Sequence, residues 1–265
     1  MVTLLIIPVL DIKNGIAVSG KSGNRETYQP LQTVFCPSSD PVEIAGSLRS
    51  AGAPEMYIAD LDAIEKMGSN RNIVGEVNQI IPVMLDCGAS DLDSVTEALQ
   101  FADKVIVATE TLRRLEDLFE IFSRFDGDQI VISIDVLRGN VLSKYMDLDF
   151  SILKENLLKI QPSQIILLDI SNVGTEGGVN WDLIDEFSGL ESSFILGGGI
   201  TGEDMGELDK RGVDKVLVGT ALPQWSDKTL FFDYFRGFLL YSYFSPLFFS
   251  LIFILLFTFH TLFIG

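Results

Sequence analysis

A single histidine, His260, occurs in 265 residues, and it lies in the apolar C-terminal stretch. The rest of the chain therefore has no Ser-His-Asp triad, His-based zinc site or His general base, and acid–base chemistry falls to carboxylates, Lys, Tyr or Cys. Two cysteines, Cys36 and Cys87, make neither a disulfide framework nor a metal-ligand set, which suits a reducing cytoplasm. Basic residues are scarce: 19 Lys and Arg stand against 37 Asp and Glu, a net charge of −18. Nucleic-acid binding needs clustered cations to neutralise phosphates, so that class is set aside. No signal peptide is expected, because Leu4–Leu10 is short, lacks a basic flank and runs into Asp11-Ile12-Lys13. With 47% hydrophobic residues there is enough apolar material for a large core.

The composition changes near the end. No Asp, Glu, Lys or Arg occurs from Gly237 to Gly265, and 11 of the 19 phenylalanines lie between Phe231 and Phe263. Residues 1–230 are expected to form the folded body and 231–265 an apolar tail. Leu247–Ile264 is near the lower limit for a helix crossing a ~30 Å hydrocarbon layer. Three readings of the tail stay open: a membrane anchor through residues 237–265, a frame-shifted gene end, or a buried last helix starting near Ser226.

In the body, eight short apolar runs alternate with amphipathic stretches: Leu4–Leu10, Met56–Ala59, Pro82–Leu85, Lys104–Ala108, Gln129–Ile134, Gln164–Leu168, Ser193–Leu196 and Lys215–Val218. Consecutive apolar residues, as in Ile130-Val131-Ile132, predict strands buried on both faces, as in a parallel sheet covered by helices. Helix starts are legible at Asp40-Pro41-Val42-Glu43, Ser90-Asp91, Ser151 and Thr201. Eight strand–helix units in this length predict an α/β fold of the (β/α)8 barrel type. The chain also repeats itself. Residues 87–109 can be laid on 198–220 at a constant spacing of 111 positions, and the segment ending at Gly15 on that ending at Gly139 at a spacing of 124. Two fused half-barrels follow, with equivalent side chains on opposite sides of one mouth.

This symmetry singles out Asp11 and Asp135, each at the C-terminal end of a strand, where a barrel presents its active site. Two facing carboxylates can divide into base and acid if their surroundings separate their pKa values; capping of the next loop is the plainer role. Asp60, Asp62, Asp86 and Asp169 also stand at strand ends. Asp60 and Asp169 are candidates for touching substrate, although tying down loops explains them as well. Metal binding there would require a hard, oxygen-preferring ion, and none is expected.

Gly198, Gly199, Gly219 and Thr220 follow the seventh and eighth strands. Glycines let backbone N–H groups approach a phosphate closely, and these two loops are a frequent phosphate seat in barrels. In the first half Asp86-Cys87-Gly88 stands against Gly197-Gly198-Gly199, and Glu110 follows Thr109 where Ala221 follows Thr220. Gly88 and Thr109 remain substrate-contact candidates, but two acids there would repel a second phosphate. Gly15–Ser22 satisfies the P-loop pattern, yet no helical spacing follows Lys21-Ser22. A long loop folding over the mouth, with Lys21, Arg25 or Tyr28 near substrate, is the better reading. The Gly-rich loop Ile170–Gly178 offers the hydroxyl of Thr175 and the open backbone of Gly177. Cys87 has no His partner and reads as a filler.

Taken in order, IIPVLDIKNGIAV, SSDPVEIA, YIADLDAI, LLDISNVGTEGG, LGGGITGEDM and VLVGTAL resemble the histidine-biosynthesis barrels, an isomerase of a phosphoribosylated imidazole carboxamide and its sister cyclase. The likeness spans about residues 3–222. It implies a half-barrel-repeat fold and a small phosphorylated metabolite as partner. For the isomerase it also implies a cofactor-free Amadori rearrangement of an aminoaldose to an aminoketose. Carried over by position, Asp11 resembles the base at C2, Asp135 the acid that assists ring opening, Thr175 a neighbouring hydroxyl, and Gly198, Gly199, Gly219 and Thr220 a phosphate site. The altered first half is similar to a divergent archaeal-type branch. A related lyase or synthase on a singly phosphorylated substrate, or a membrane-tethered binding protein, are the alternatives.

Overall fold

The computed structural model describes residues 4–219, apart from 20–24, 34, 174, 176, 202 and 212. Thr220, Lys21, the expected last helix and the tail at 231–265 lie outside the described residues. Eight strands form the barrel: β1 Leu5–Lys13, β2 Met56–Asp60, β3 Val83–Asp86, β4 Lys104–Ala108, β5 Ile130–Leu137, β6 Gln164–Asp169, β7 Ser193–Gly197 and β8 Lys215–Val218. Each pairs in parallel with the next. The sheet closes where β8 pairs with β1, Ile6 opposite Val216 and Pro8 opposite Val218. The eight expected runs are these eight strands, and the chain is a (β/α)8 barrel.

Closure explains why the runs are apolar at successive positions. Alternate side chains of a strand point to opposite faces. One set faces inward, with one residue from each strand: Ile7, Tyr57, Met84, Ile106, Val131, Ile166, Ile195 and Leu217. The other set, including Ile6, Ile58, Val105, Ile132 and Leu167, packs outward among helix residues such as Ile44, Leu48, Val74, Leu118, Leu153 and Leu208. Those residues belong to helices α1 Pro41–Ser50, α2 Leu61–Ile64, α3 Arg71–Asn78, α4 Leu92–Ala98, α5 Leu115–Arg124, α6 Phe150–Ile160, α7 Trp181–Glu186 and α8 Met205–Lys210. Among the described residues none of these is long and apolar enough to cross a membrane.

Helix starts follow the expected chemistry with one shift. The Asp40 carboxylate accepts from the N–H of Val42 at 2.8 Å and of Glu43 at 3.2 Å, and Asp91 and Ser94 form a capping box on α4. The sixth helix starts at Phe150 rather than Ser151, because the Asp149 carboxylate takes the N–H of Ile152 at 2.7 Å. The floor of the barrel is ionic: Glu55 accepts from Lys104 at 2.7 Å and from Lys215 at 2.8 Å, and Lys104 also reaches Gln164 at 3.3 Å.

The internal repeat is visible in the backbone. Asn14 and Gly15 have φ of 51° and 78°, and their counterparts Arg138 and Gly139 have 54° and 76°. Each pair turns its strand into a short hairpin, Ile16–Ser19 on β1 and Asn140–Val141 on β5. Gly88 and Gly199 likewise share φ values of 72° and 71°.

Candidate active site

The C-terminal ends of the strands open into a cavity of about 160 Å³, and Asp11, Asp86 and Asp135 line it together. They come from β1, β3 and β5, and the two-fold spacing of Asp11 and Asp135 places them in the same space. Asp135 is anchored: its Oδ1 accepts from the Ser133 hydroxyl at 2.7 Å, and its own N–H is held by Thr109 Oγ1 at 3.0 Å. Asp11 accepts no hydrogen bond among the described residues, and its carboxyl meets solvent only through the cavity.

Enclosure sets the protonation of the three acids. Burial pushes Asp11 up to about 7, against a lowering by Arg25 and with a further raise from Asp86. Burial, and then the Asp86 charge, push Asp135 up to about 8. Asp86 is raised by burial to about 6, restrained by the N–H of Gly88. Desolvation disfavours the charged carboxylate, and the three acids in one small space oppose each other's ionisation. Separated values of this kind let one carboxyl act as base while another carries a proton.

A lid of backbone covers the opening. The β1–α1 segment contains a short helical turn at Arg25–Thr27 and a strand at Gln29–Pro30 that pairs with Ile16–Ser19. It brings Arg25 and Tyr28 onto the cavity wall. The first described α-helix after the P-loop-like stretch begins only at Pro41, 19 positions after Ser22, so the stretch lacks the helix start that the phosphate-binding motif requires.

On the opposite wall are Gly198, Gly199 and Gly219. A Cβ on Gly198, whose φ is +103°, would lie 2.3 Å from the Asp169 carbonyl oxygen, and one on Gly199 would lie 3.0 Å from that of Asn172. Only glycine fits both positions, and the result is a bare stretch of backbone facing the cavity.

The other sequence candidates sit elsewhere. The Asp60 carboxylate binds the Asn70 N–H and Nδ2, both at 2.7 Å, and the N–H of Ala63 at 3.2 Å. Asp169 accepts from Ser171 N–H at 3.0 Å, Asn172 Nδ2 at 3.1 Å and Asn180 Nδ2 at 2.8 Å. Both therefore hold the loops after β2 and β6, and neither lines the main cavity. Thr175 is exposed; its hydroxyl donates to the Asn172 carbonyl at 2.8 Å and accepts from the Gly177 N–H at 3.2 Å. Gly177 allows that turn, since its Cβ would lie 2.9 Å from Asn172 Oδ1. Thr109 is buried behind Asp135, and Gly88 donates its N–H to Asp86 Oδ1 at 3.0 Å. The Cys87 thiol is pushed up to about 12 by burial and then by Asp86, as befits a neutral filler.

Glu110 is not a bare acid. Its carboxylate meets Arg25 Nη2 at 3.2 Å and Lys144 Nζ at 2.8 Å. Sequence reasoning missed this pairing, the placement of Tyr57 below the mouth with its hydroxyl donating to Asp86 Oδ2 at 3.2 Å, and the two asparagine clamps. The clamps had a signal: Asn70 and Asn180 stand 10 and 11 positions after their aspartates.

The sequence pattern of the family described as "Histidine biosynthesis protein" matches residues 5–226. The chain belongs to this family. A relative in Methanocaldococcus jannaschii, an uncharacterized protein, is 40% identical over 222 residues, covering 82% of this chain and 92% of its own. Members named as isomerases of an imidazole-4-carboxamide with two 5-phosphoribosyl groups are more distant. One from the same organism is 29% identical over 229 residues, 83% of this chain and 93% of its own. Another from Nitrosopumilus maritimus is 25% identical over 225 residues, 82% and 93% respectively. The histidine biosynthesis family thus contains, in one organism, both a protein similar to this chain at 40% and a separate isomerase at 29%.

Proposed function

We propose that this chain, an isomerase-type member of the histidine biosynthesis family, converts a phosphorylated aminoaldose to the corresponding aminoketose by an Amadori rearrangement. The observation that carries this reading is that Asp11 and Asp135 line one enclosed cavity whose far wall is the bare backbone of Gly198, Gly199 and Gly219. The glycine wall seats the phosphate. The sugar then extends across the mouth, with its C1 and C2 between the two acids.

The reaction balances within the substrate. Asp135, the acid with the higher pKa, gives a proton to the ring oxygen as the C1–O bond opens and the nitrogen lone pair forms an iminium at C1. Asp11 then takes the C2 proton; the C–H electron pair becomes a C1–C2 double bond and the iminium pair returns to nitrogen. The resulting enaminol loses its hydroxyl proton and gains one at C1, which leaves a ketone at C2 and an amine on C1. C2 is oxidised as C1 is reduced, so the reaction needs no external electron acceptor. The base must be ionised and the acid protonated, which suits a group near 7 facing one near 8.

Incubating the purified chain with an N-aryl-5-phosphoribosylamine, and separately with the imidazole-carboxamide substrate of the named relatives, tests this. Aminoketose should form from at least one of them with the wild type, and far more slowly with Asp11→Asn. Equal turnover in both proteins would remove Asp11 from the mechanism. A second reading, a lyase or synthase acting on a singly phosphorylated substrate, is favoured by one observation: the M. jannaschii protein similar to this chain exists beside a named isomerase. Rescue of an isomerase-deficient histidine auxotroph by this chain would count against that reading.

A further inference from the structure

The half of the mouth opposite the glycine wall has the backbone of an anion-binding turn, and the chain's own acids occupy it. Gly88 adopts nearly the same left-handed conformation as Gly199, with φ of 72° against 71°. Its N–H donates to Asp86 Oδ1 at 3.0 Å, so the turn already holds a carboxylate. The next cations in reach are also taken: Arg25 lies against Glu110 at 3.2 Å and Lys144 against the same carboxylate at 2.8 Å. A second substrate phosphate would find a carboxylate on the amide and no spare positive charge.

The same arrangement suits a hydrogen-bond donor. Asp86 lines the cavity, and only part of its accepting capacity is used by Gly88 and by Tyr57 at 3.2 Å. Beside it Asp11, enclosed by protein, faces the same space and accepts no hydrogen bond among the described residues. Carboxylate oxygens without donors in a water-poor pocket are costly unless a ligand supplies donors. We propose that Asp86 is a specificity-determining residue that selects a substrate with a single phosphate and an amino group at the opposite end. The amine donates to Asp86 and Asp11 while the phosphate rests on Gly198, Gly199 and Gly219. This rests on the phosphate seat of the proposed function and adds to it what the other end of the substrate must carry.

Calorimetric titration of the full chain at pH 7 with four sugar phosphates tests it. Glucosamine 6-phosphate should bind roughly tenfold more tightly than glucose 6-phosphate, the size of one charge-assisted hydrogen bond. Fructose 6-phosphate should bind about tenfold more tightly than fructose 1,6-bisphosphate. In Asp86→Asn, a near-isosteric change checked by its melting curve, both preferences should shrink to about threefold or less; Glu110→Gln should relax only the bisphosphate penalty. Equal affinities for the amino and hydroxy sugars, or preferences untouched by Asp86→Asn, would overturn the inference and leave the phosphate seat standing. If none of the four sugars nor inorganic phosphate binds, the seat itself is wrong and the inference falls with it.

Discussion

At the floor of the barrel Lys104 and Lys215, 111 positions apart in the repeat, both reach Glu55. At the mouth the same spacing sets Asp86 against Gly197 and Gly88 against Gly199. The floor keeps its two-fold relation in side-chain chemistry, whereas the mouth keeps it only in backbone conformation. Fold stability needs both halves to close the sheet in the same way, so the floor and the left-handed turns are alike. Substrate binding needs the two ends of one ligand to be told apart. The difference between Asp86 and the glycine wall supplies that distinction without altering the barrel.

Breaking the symmetric acids should have the largest effect. Asp11→Asn or Asp135→Asn should each lower turnover by about 10²–10⁴-fold, the range for a lost general base or acid, as measured by steady-state isomerisation. The rate of the wild type should rise with pH through about 7, as Asp11 ionises, and fall through about 8, as Asp135 loses its proton. Comparing the paired turns sharpens the contrast between halves. Gly198→Ala forces a Cβ to 2.3 Å from a backbone carbonyl and should cost several kcal/mol or prevent accumulation of folded protein, whereas Gly88→Ala, whose Cβ would lie 3.4 Å from the Ile64 Cα, should cost about 1–3 kcal/mol in urea unfolding.

The floor should respond next. Burial works to raise the Glu55 pKa, but hydrogen bonds from Lys104 and Lys215 outweigh it and hold the carboxyl below its usual range. Its stabilisation is therefore present above the unfolded carboxyl pKa and lost as pH falls through the folded value. Glu55→Gln should cost about 1–3 kcal/mol at pH 7, because two half-buried lysines lose their counter-charge, and the gap to wild type should narrow in acid. The mouth has the opposite sign. Its acids titrate higher in the folded chain than in the unfolded one, so the folded state binds more protons between about pH 4 and 8 and loses stability as pH rises. Asp135→Asn should therefore gain on the wild type by about 1 kcal/mol between pH 5 and 8 in thermal or urea unfolding.

Much of this was legible because the barrel imposes period and position together. Runs apolar at every position identified β1 to β8, and the spacings of 111 and 124 put Asp11, Asp135 and the glycine loops at one end. Side-chain partners were less accessible. Asp60 and Asp169 resemble Asp11 and Asp135 in standing at strand ends, but they fall one residue beyond the inward-facing position: Ile12 pairs with Asp60 and Val136 with Asp169. They therefore turn away from the cavity to clamp Asn70 and Asn180. Glu110 read as a repelling charge because its partners, Arg25 and Lys144, are 85 and 34 positions away in the chain. Such long-range pairs depend on how loops fold over the mouth, which local patterns do not encode.

The proton at C2 is the most direct probe of the account. Turnover of a phosphorylated aminoaldose in D₂O, followed by NMR, should place deuterium on C1 of the aminoketose as the C2 hydrogen is lost. With Asp11→Asn, C2 hydrogen loss and deuterium uptake should both fall to the uncatalysed rate. Undiminished C2 hydrogen loss in that variant would contradict the assignment of Asp11 as the base.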